Sequence, residues 1–263
     1  MFNLANILTS ANLMSGIFSI LFAVSGNLEL AVFAIFAGAI FDFLDGFAAR
    51  LLKTSGELGK QLDSLADMVT FGVAPGILMM VVLTIDFINF QVTEVEVQQS
   101  FANWMNSLVN LKNDLSFLPF AGLIIPFFSI FRLAKFNLDT RQTTSFIGLP
   151  TPANTLFFTT FPLVLIYGDV SASPFSQFMF NPYVILSLIV VMSLLMVSEI
   201  PLFSLKVKNL KWKDNQIRFP FLLISLAIIC VFWLWSIALI VILYLIMSFI
   251  ENTFIKKKEN NEI

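Results

Sequence analysis

The chain of 263 residues has no histidine, one cysteine and few charges, with Asp, Glu, Lys and Arg together making up 12%. Without histidine, the commonest general base, the Ser-His nucleophile pair and His-ligated zinc are excluded. The single cysteine, Cys230, lies in an apolar run. It excludes an intrachain disulfide and a cysteine-cluster metal site, and reads as apolar filler. A soluble domain carries about 25% charged residues. Here hydrophobic residues reach 58%, more than a water-facing fold can bury, so the natural solvent of this chain is lipid. A net charge of −2 leaves no electrostatic footprint for nucleic acid. The opening Met1-Phe2-Asn3 has no basic segment, and the apolar run after it has no obvious small-residue cleavage site. It reads as a first membrane helix and not as a removable signal.

Hydropathy predicts an all-α, polytopic membrane helix bundle of about eight transmembrane helices. The spans are 7–26, 30–52, 65–89, 117–136, 152–168, 182–202, 219–233 and 234–254, each roughly long enough for about 30 Å of hydrocarbon. The last two form one apolar stretch too long for a single span, which predicts a hairpin at Trp233-Leu234-Trp235; six or seven spans are the other counts this stretch allows. With eight spans and the N-terminus inside, 14 of the 15 basic residues fall on cytoplasmic segments and only Lys112 falls outside, as the positive-inside rule requires. Those 14 include Arg50, Lys53, Lys60, Arg132, Lys135, Arg141, Lys206, Lys208, Lys211, Lys213 and Arg218, with Lys256, Lys257 and Lys258 at the end of the chain. In the outer loop 91–116, Phe101, Trp104, Met105, Leu108 and Leu111 recur at helical spacing, the stripe of an amphipathic surface helix.

Chemistry concentrates in one stretch. Asp42 and Asp45 fall on one helical face with Ala49, and Gly59, Asp63 and Asp67 on another. Two antiparallel helices joined near 53–56 would bring the four carboxylates together. Each Asp at mid-bilayer costs roughly 2.5–3.5 kcal/mol, and four together repel one another. Arg50 supplies one compensating charge, which is not enough. Carboxylate oxygens without His or Cys point to Mg²⁺ or Mn²⁺, with room for two ions. Two readings stand for Gly46 and Gly59: close approach of a base or diphosphate to the backbone, or tight helix packing.

The pattern Asp-x-x-Asp-Gly-x-x-Ala-Arg, eight residues, Gly-x-x-x-Asp-x-x-x-Asp, carried by Asp42, Asp45, Gly46, Ala49, Arg50, Gly59, Asp63 and Asp67, resembles the signature of the CDP-alcohol phosphatidyltransferases. The segments 6–16, 71–75, 131–137 and 148–153 are similar to the phosphatidylserine synthase branch of that family, so the resemblance covers about the first 155 residues. It implies a homodimeric enzyme of a bacterial-type inner membrane. That enzyme binds CDP-diacylglycerol and two divalent ions at the cytoplasmic end of the bundle, releases CMP and passes the phosphatidyl group to L-serine. Residues 1–202 would form the six-helix catalytic core and residues 203–263 a C-terminal helical hairpin with basic flanks and a charged tail.

Within that frame Asp42, Asp45 and Asp63 are the core metal ligands. Asp67, one turn further on, is the general base in a chain without histidine; it also suits a ligand role. Gly46, Ala49, Arg50 and Gly59 fall to the CDP-lipid. Thr9 and Asn12 touch its cytosine or ribose, or else bond neighbouring helices. Arg132 and Lys135 hold the serine carboxylate, or serve as flanking charges. The branch more often has Arg at the position of Lys135, and Lys offers a point charge in place of a bidentate fork. Thr151 and Pro152 read as the N-cap and first residue of the fifth span. Other members of the superfamily accept glycerol phosphate or inositol phosphate, and those acceptors would call for more basic residues. A cation transporter would spread its acids through the bilayer, whereas these gather at one end. A cysteine-labelling scan is expected to place positions 53 and 208 on the cytoplasmic side and position 112 on the outer side. Position 208 labelled from outside would overturn the eight-span reading.

Overall fold

The computed structural model describes residues 3–54, 56–85, 93–113, 115–139, 146–203 and 215–255, and the statements below concern these residues. Arg141, Lys206, Lys208, Lys211, Lys213, Lys256, Lys257 and Lys258, which carry much of the charge-based topology, lie outside them.

The chain is a multi-pass helical membrane protein. α1 (Leu4–Val24) and α2 (Leu28–Leu51) form an antiparallel pair. Each opens on an asparagine cap: the Asn3 side chain accepts from the Asn6 N–H, and Asn27 from the Leu30 N–H, both at 2.8 Å. Gly26 turns the chain between them at φ +90°, where a side chain would meet the Glu94 carbonyl. The third rod is continuous from α3 (Glu57–Asp67) through a π-helical segment (Met68–Val73) into α4 (Ala74–Val82). It begins eight residues before the predicted span at 65, because its polar first turns already pack on α1.

Next come α5 (Glu94–Val109), a 3₁₀ turn (Leu118–Leu123) that leads into α6 (Ile124–Leu138), α7 (Thr151–Tyr167), the short α8 (Pro174–Met179) and α9 (Pro182–Val197). α10 (Arg218–Phe232) and α11 (Ser236–Ile250) close the order. Five helical segments are long and apolar enough to cross a membrane: Leu4–Val24, Leu28–Leu51, Glu57–Val82, Leu118–Leu138 and Arg218–Thr253; Pro182–Val197 is a shorter apolar helix.

α7 is the central rod. Phe158 and Phe161 are sealed from solvent together with Ile35 of α2, Leu78 and Met79 of α4, Ile125 of α6, and Ile185 and Ile189 of α9. A helix apolar on nearly all sides belongs inside a bundle. Outward, Phe18, Leu21, Leu223, Leu226 and Phe249 are exposed, the apolar faces that lipid covers. The α7 N-cap is Pro150, not Thr151. Thr151 is already the first helical residue, buried, and no side chain caps this end. A two-residue antiparallel bridge, β1 (Phe146–Ile147) with β2 (Pro201–Leu202), ties the approach to α7 to the exit of α9. This strand pair was not anticipated in an all-α chain.

α5 forms where the amphipathic stripe predicted a helix, with a Thr93–Glu96 capping box at its start. Only part of the stripe is used against the protein. Trp104 is buried, stands edge-on to Phe120 with ring centroids 5.1 Å apart, and donates from Nε1 to the Ser116 carbonyl. Leu111 lies beyond the helix at φ +47° and is exposed.

The C-terminal stretch breaks at Trp233, which takes φ +38°. Phe221 and Tyr244 then meet with ring centroids 6.1 Å apart, although an unbroken helix would separate them by about 35 Å. α10 and α11 are therefore an antiparallel hairpin. Trp235 seats it against Phe161 and Phe180 of the core. With Cys230 replaced by Ser, a Phe221→Cys/Tyr244→Cys pair is expected to join through a short bifunctional crosslinker. Failure to crosslink, with both single cysteines labelled, would count against the hairpin.

Candidate active site

α2 runs along the length of α1, and α3 packs on α1 as well. Between α2 and α3 lies a cavity of about 310 Å³ whose floor is α1. Its walls carry Asp42, Asp45, Gly46, Ala49 and Arg50 from α2, Thr54 and Gly56 from the turn, Gly59, Lys60 and Asp63 from α3, and Ala5 and Thr9 from α1. The volume is at the lower end of the roughly 300–1,000 Å³ typical of ligand pockets. Seven of the eight residues singled out by spacing thus share one cavity.

Asp67 is not part of the wall but stands beside it. Asp42, Asp63 and Asp67 each place a carboxylate oxygen within 4.8 Å of the others. Carboxylates this close repel one another unless a cation is shared among them. Asp45 is outside that close set and buried, and its Oδ2 accepts from Thr9 Oγ1 at 2.5 Å. Asn12 Nδ2 donates to Asp67 Oδ1 at 3.0 Å. Thr9 and Asn12 thus meet carboxylates directly; Thr9 also borders the cavity, whereas Asn12 does not.

The oxygen-only donor set, without nitrogen or sulphur, fits a hard divalent cation of the Mg²⁺ or Mn²⁺ kind. A side chain at Gly46 would meet nothing within 4 Å. Helix packing therefore places no demand on that glycine, and its missing side chain leaves the cavity open to a ligand. A side chain at Gly59 would meet the Asn6 Oδ1 at an ordinary 3.5 Å.

Arg132 and Lys135 sit on α6, outside the cavity wall, and their surroundings differ. Arg132 is buried, donates from Nε to the Leu149 carbonyl at 3.2 Å, and lies 5.0 Å from the centre of the Phe136 ring. Among the described residues no carboxylate lies within ion-pair distance of it. Lys135 is paired with Glu199.

Lys60 was missed in the sequence. Its position one turn before Asp63 was the available signal, since it puts the ammonium on the same helical face. Lys60 Nζ donates to the Asn137 carbonyl at 2.7 Å, and Asn137 Nδ2 donates to Ser64 Oγ at 2.7 Å. This clasp ties α3, and with it the cavity, to the end of α6.

A family model described as CDP-alcohol phosphatidyltransferase matches residues 2–250. The chain is similar to the CDP-diacylglycerol–serine O-phosphatidyltransferase of Helicobacter pylori (strain ATCC 700392 / 26695), at 30% identity over 96% of this chain and 92% of the relative. It is similar to the Bacillus subtilis protein of the same description, at 33% identity over 63% of this chain and 81% of the relative. It is also similar to an archaetidylserine synthase of Methanothermobacter thermautotrophicus, at 32% identity over 65% and 62% of the two chains.

The convergence of three carboxylates predicts that the purified protein binds Mn²⁺, read by electron paramagnetic resonance. Asp42→Asn and Asp63→Asn are expected to weaken that binding by about tenfold or more, since each removes a charged oxygen donor. Unchanged affinity in both variants would refute a metal site at this cluster.

Proposed function

The chain belongs to the CDP-alcohol phosphatidyltransferase family, and from that premise we propose that it transfers the phosphatidyl group of CDP-diacylglycerol to the hydroxyl of L-serine, giving phosphatidylserine and CMP. One observation carries the reading: Asp42, Asp63 and Asp67 converge beside a cavity that also holds Asp45, Gly46, Arg50 and Gly59. Serine as acceptor is supported by the activity in the names of the Helicobacter and Bacillus relatives. Arg132 supports it too, as a buried guanidinium with no carboxylate in ion-pair range among the described residues.

The CDP headgroup occupies the cavity, where Gly46 leaves space for a planar base or a diphosphate. Thr9, Ala49 and Gly59 border it, and Arg50 and Lys60 contribute positive charge toward the phosphates. Asp42, Asp63 and Asp67, with Asp45 beside them, would hold divalent cations of the Mg²⁺ or Mn²⁺ kind, two at most, which when bound would supply positive charge to the diphosphate and to the departing CMP. The serine hydroxyl oxygen attacks the lipid-side phosphorus. A new P–O bond forms, the P–O bond to CMP breaks, and CMP leaves with the bonding electrons. Asp67 takes the hydroxyl proton; it is off the cavity wall yet within reach of the cluster. Positioning and charge neutralisation carry phosphoryl transfer, so no nucleophilic side chain is needed. Arg132 holds the serine carboxylate. Lys135, already engaged by Glu199, contributes less. The enzyme works as a homodimer in a bacterial-type inner membrane with this site toward the cytoplasm, as the family resemblance and the distribution of basic residues imply.

Purified protein given CDP-diacylglycerol and each candidate alcohol in turn is expected to release CMP with serine, and excess EDTA to abolish the release. Arg132→Ala should raise the KM for serine by about tenfold or more, since a hydrogen bond to a charged group is worth roughly 1.5–3 kcal/mol, with a much smaller change for CDP-diacylglycerol. No serine-dependent CMP, or full turnover in EDTA, would overturn the proposal.

A further inference from the structure

We infer that Asn12 is a positioning residue for Asp67, and that the buried contact of α1 with the π-helical segment exists to hold this asparagine in place. The inference rests on the proposed role of Asp67 as proton acceptor. Asn12 is fully sealed from solvent in the middle of α1, and its one side-chain hydrogen bond runs to Asp67, 55 residues away in sequence. A neutral amide is a specific choice here. A lysine or arginine at the same place would neutralise the carboxylate and compete with a bound cation, whereas an amide N–H fixes one oxygen and leaves the negative charge in being.

The orientation of the amide is determined. Turned over, it would set its oxygen against the Asp67 oxygen, acceptor to acceptor. In the observed orientation Asn12 Oδ1 is buried with no partner, a cost borne on the side away from Asp67.

The backbone that carries the amide is locked from behind. Thr70, in the π-helical segment and three residues beyond Asp67, donates from Oγ1 to the Asn12 carbonyl at 2.9 Å. Only glycine fits beside that threonine. A side chain at Gly16 would come to 2.6 Å from Thr70 Oγ1, and one at Gly38 to 2.5 Å from Thr70 Cγ2 and 3.1 Å from Asn12 Oδ1. α1, α2 and the third rod therefore meet at one dry junction, and what emerges from it toward the reaction is the Asn12 N–H. Thr9, one turn earlier on the same face of α1, does the same for Asp45. α1 thus assigns one neutral donor to each carboxylate of this pair and leaves Asp42 and Asp63 without one from α1.

The test is a double-mutant cycle on the full-length protein in detergent. Wild type, Asn12→Leu, Asp67→Asn and the double variant are compared by serine-dependent CMP release and by Mn²⁺ binding. Leucine is a near isostere without an N–H, so the junction stays filled. Asn12→Leu is expected to lower kcat by about 10–100-fold, the effect of misplacing a reacting group by a fraction of an ångström to an ångström. The KM for CDP-diacylglycerol should stay within about twofold and Mn²⁺ affinity within about threefold of wild type. Asp67→Asn is expected to lower kcat by about 10²–10⁴-fold, and the double variant to be no slower than Asp67→Asn, because Asn12 acts through a group already removed. Defects that multiply in the double variant would overturn the inference while leaving the reading of Asp67 intact. A wild-type rate in Asp67→Asn would overturn both. Loss of Mn²⁺ binding in Asn12→Leu would assign Asn12 to general assembly of the cluster and equally overturn it. Should Asn12→Leu fail to accumulate in the membrane, Thr70→Val, which frees the Asn12 carbonyl and retains the bulk, serves in its place. It is expected to lower kcat in wild type but not in Asp67→Asn, and equal defects in the two backgrounds would overturn the inference.

Discussion

Mutual repulsion among carboxylates inside an apolar bundle is the constraint from which the rest of this structure follows. Three of them reach within 4.8 Å of one another, with Asp45 close by. Burial of such a set is tolerated only when hydrogen-bond donors and cations are arranged around it. The protein meets this by placing α1 beneath α2 and α3 and lining its contact face with short neutral polar groups, Thr9 and Asn12. The cavity between α2 and α3 is a consequence, since the two acid-bearing helices must stand apart far enough to admit a ligand that brings positive charge or is bridged by it. On the proposed function, substrate recognition and stability of the folded bundle are then one problem, because both would depend on what neutralises the same four side chains.

The same logic separates two cations on α6 that look alike in sequence. Arg132 and Lys135 are one turn apart and both flank the end of a span. Lys135 meets Glu199 and is spent on an ordinary ion pair, exposed in part. Arg132 is drawn inside, over Phe136 and against the Leu149 carbonyl. A buried guanidinium without a carboxylate is costly, and the chain sustains it in the segment that the β1–β2 bridge pins beside α6. Burial, not residue type, distinguishes the two cations.

Much of this was legible from the residues. The apolar segments announced their own positions, and the break at Trp233 followed from a stretch too long for one crossing. The pairing of Asp42 with Asp45, and of Asp63 with Asp67, is a local helical rule that needs no tertiary knowledge. What was illegible is what depends on distant packing. Nothing about Thr9 or Asn12 in sequence says which carboxylate each will face, since the partners lie 36 and 55 residues away. Lys60 shares a face with Asp63 by local spacing, but its clasp on Asn137, 77 residues away, is not carried by that pattern. α7 starts one residue earlier than the Thr151-Pro152 pair suggests, because Thr151 already has helical backbone and Pro150 takes the cap position without a capping side chain. Of the stripe on α5, Trp104 is buried and Phe101 packs against the core, whereas Met105 and Leu111 are exposed.

The π-helical segment Met68–Val73 works as a frame shift within the third rod. Its bonds close i→i+5 in place of i→i+4, so one surplus residue is absorbed without breaking the helix. Upstream, the repeat that aligns Gly59, Asp63 and Asp67 serves the polar end of the bundle. Downstream, Gly76 faces Gly122 and Pro126 under a different phase. The two halves of one rod thereby answer to separate neighbours. Loss or gain of a single residue in 68–73 would turn the lower half by about 100° relative to the upper (a full circle over 3.6 residues). In this protein, length within that segment is a variable as consequential as the identity of any aspartate.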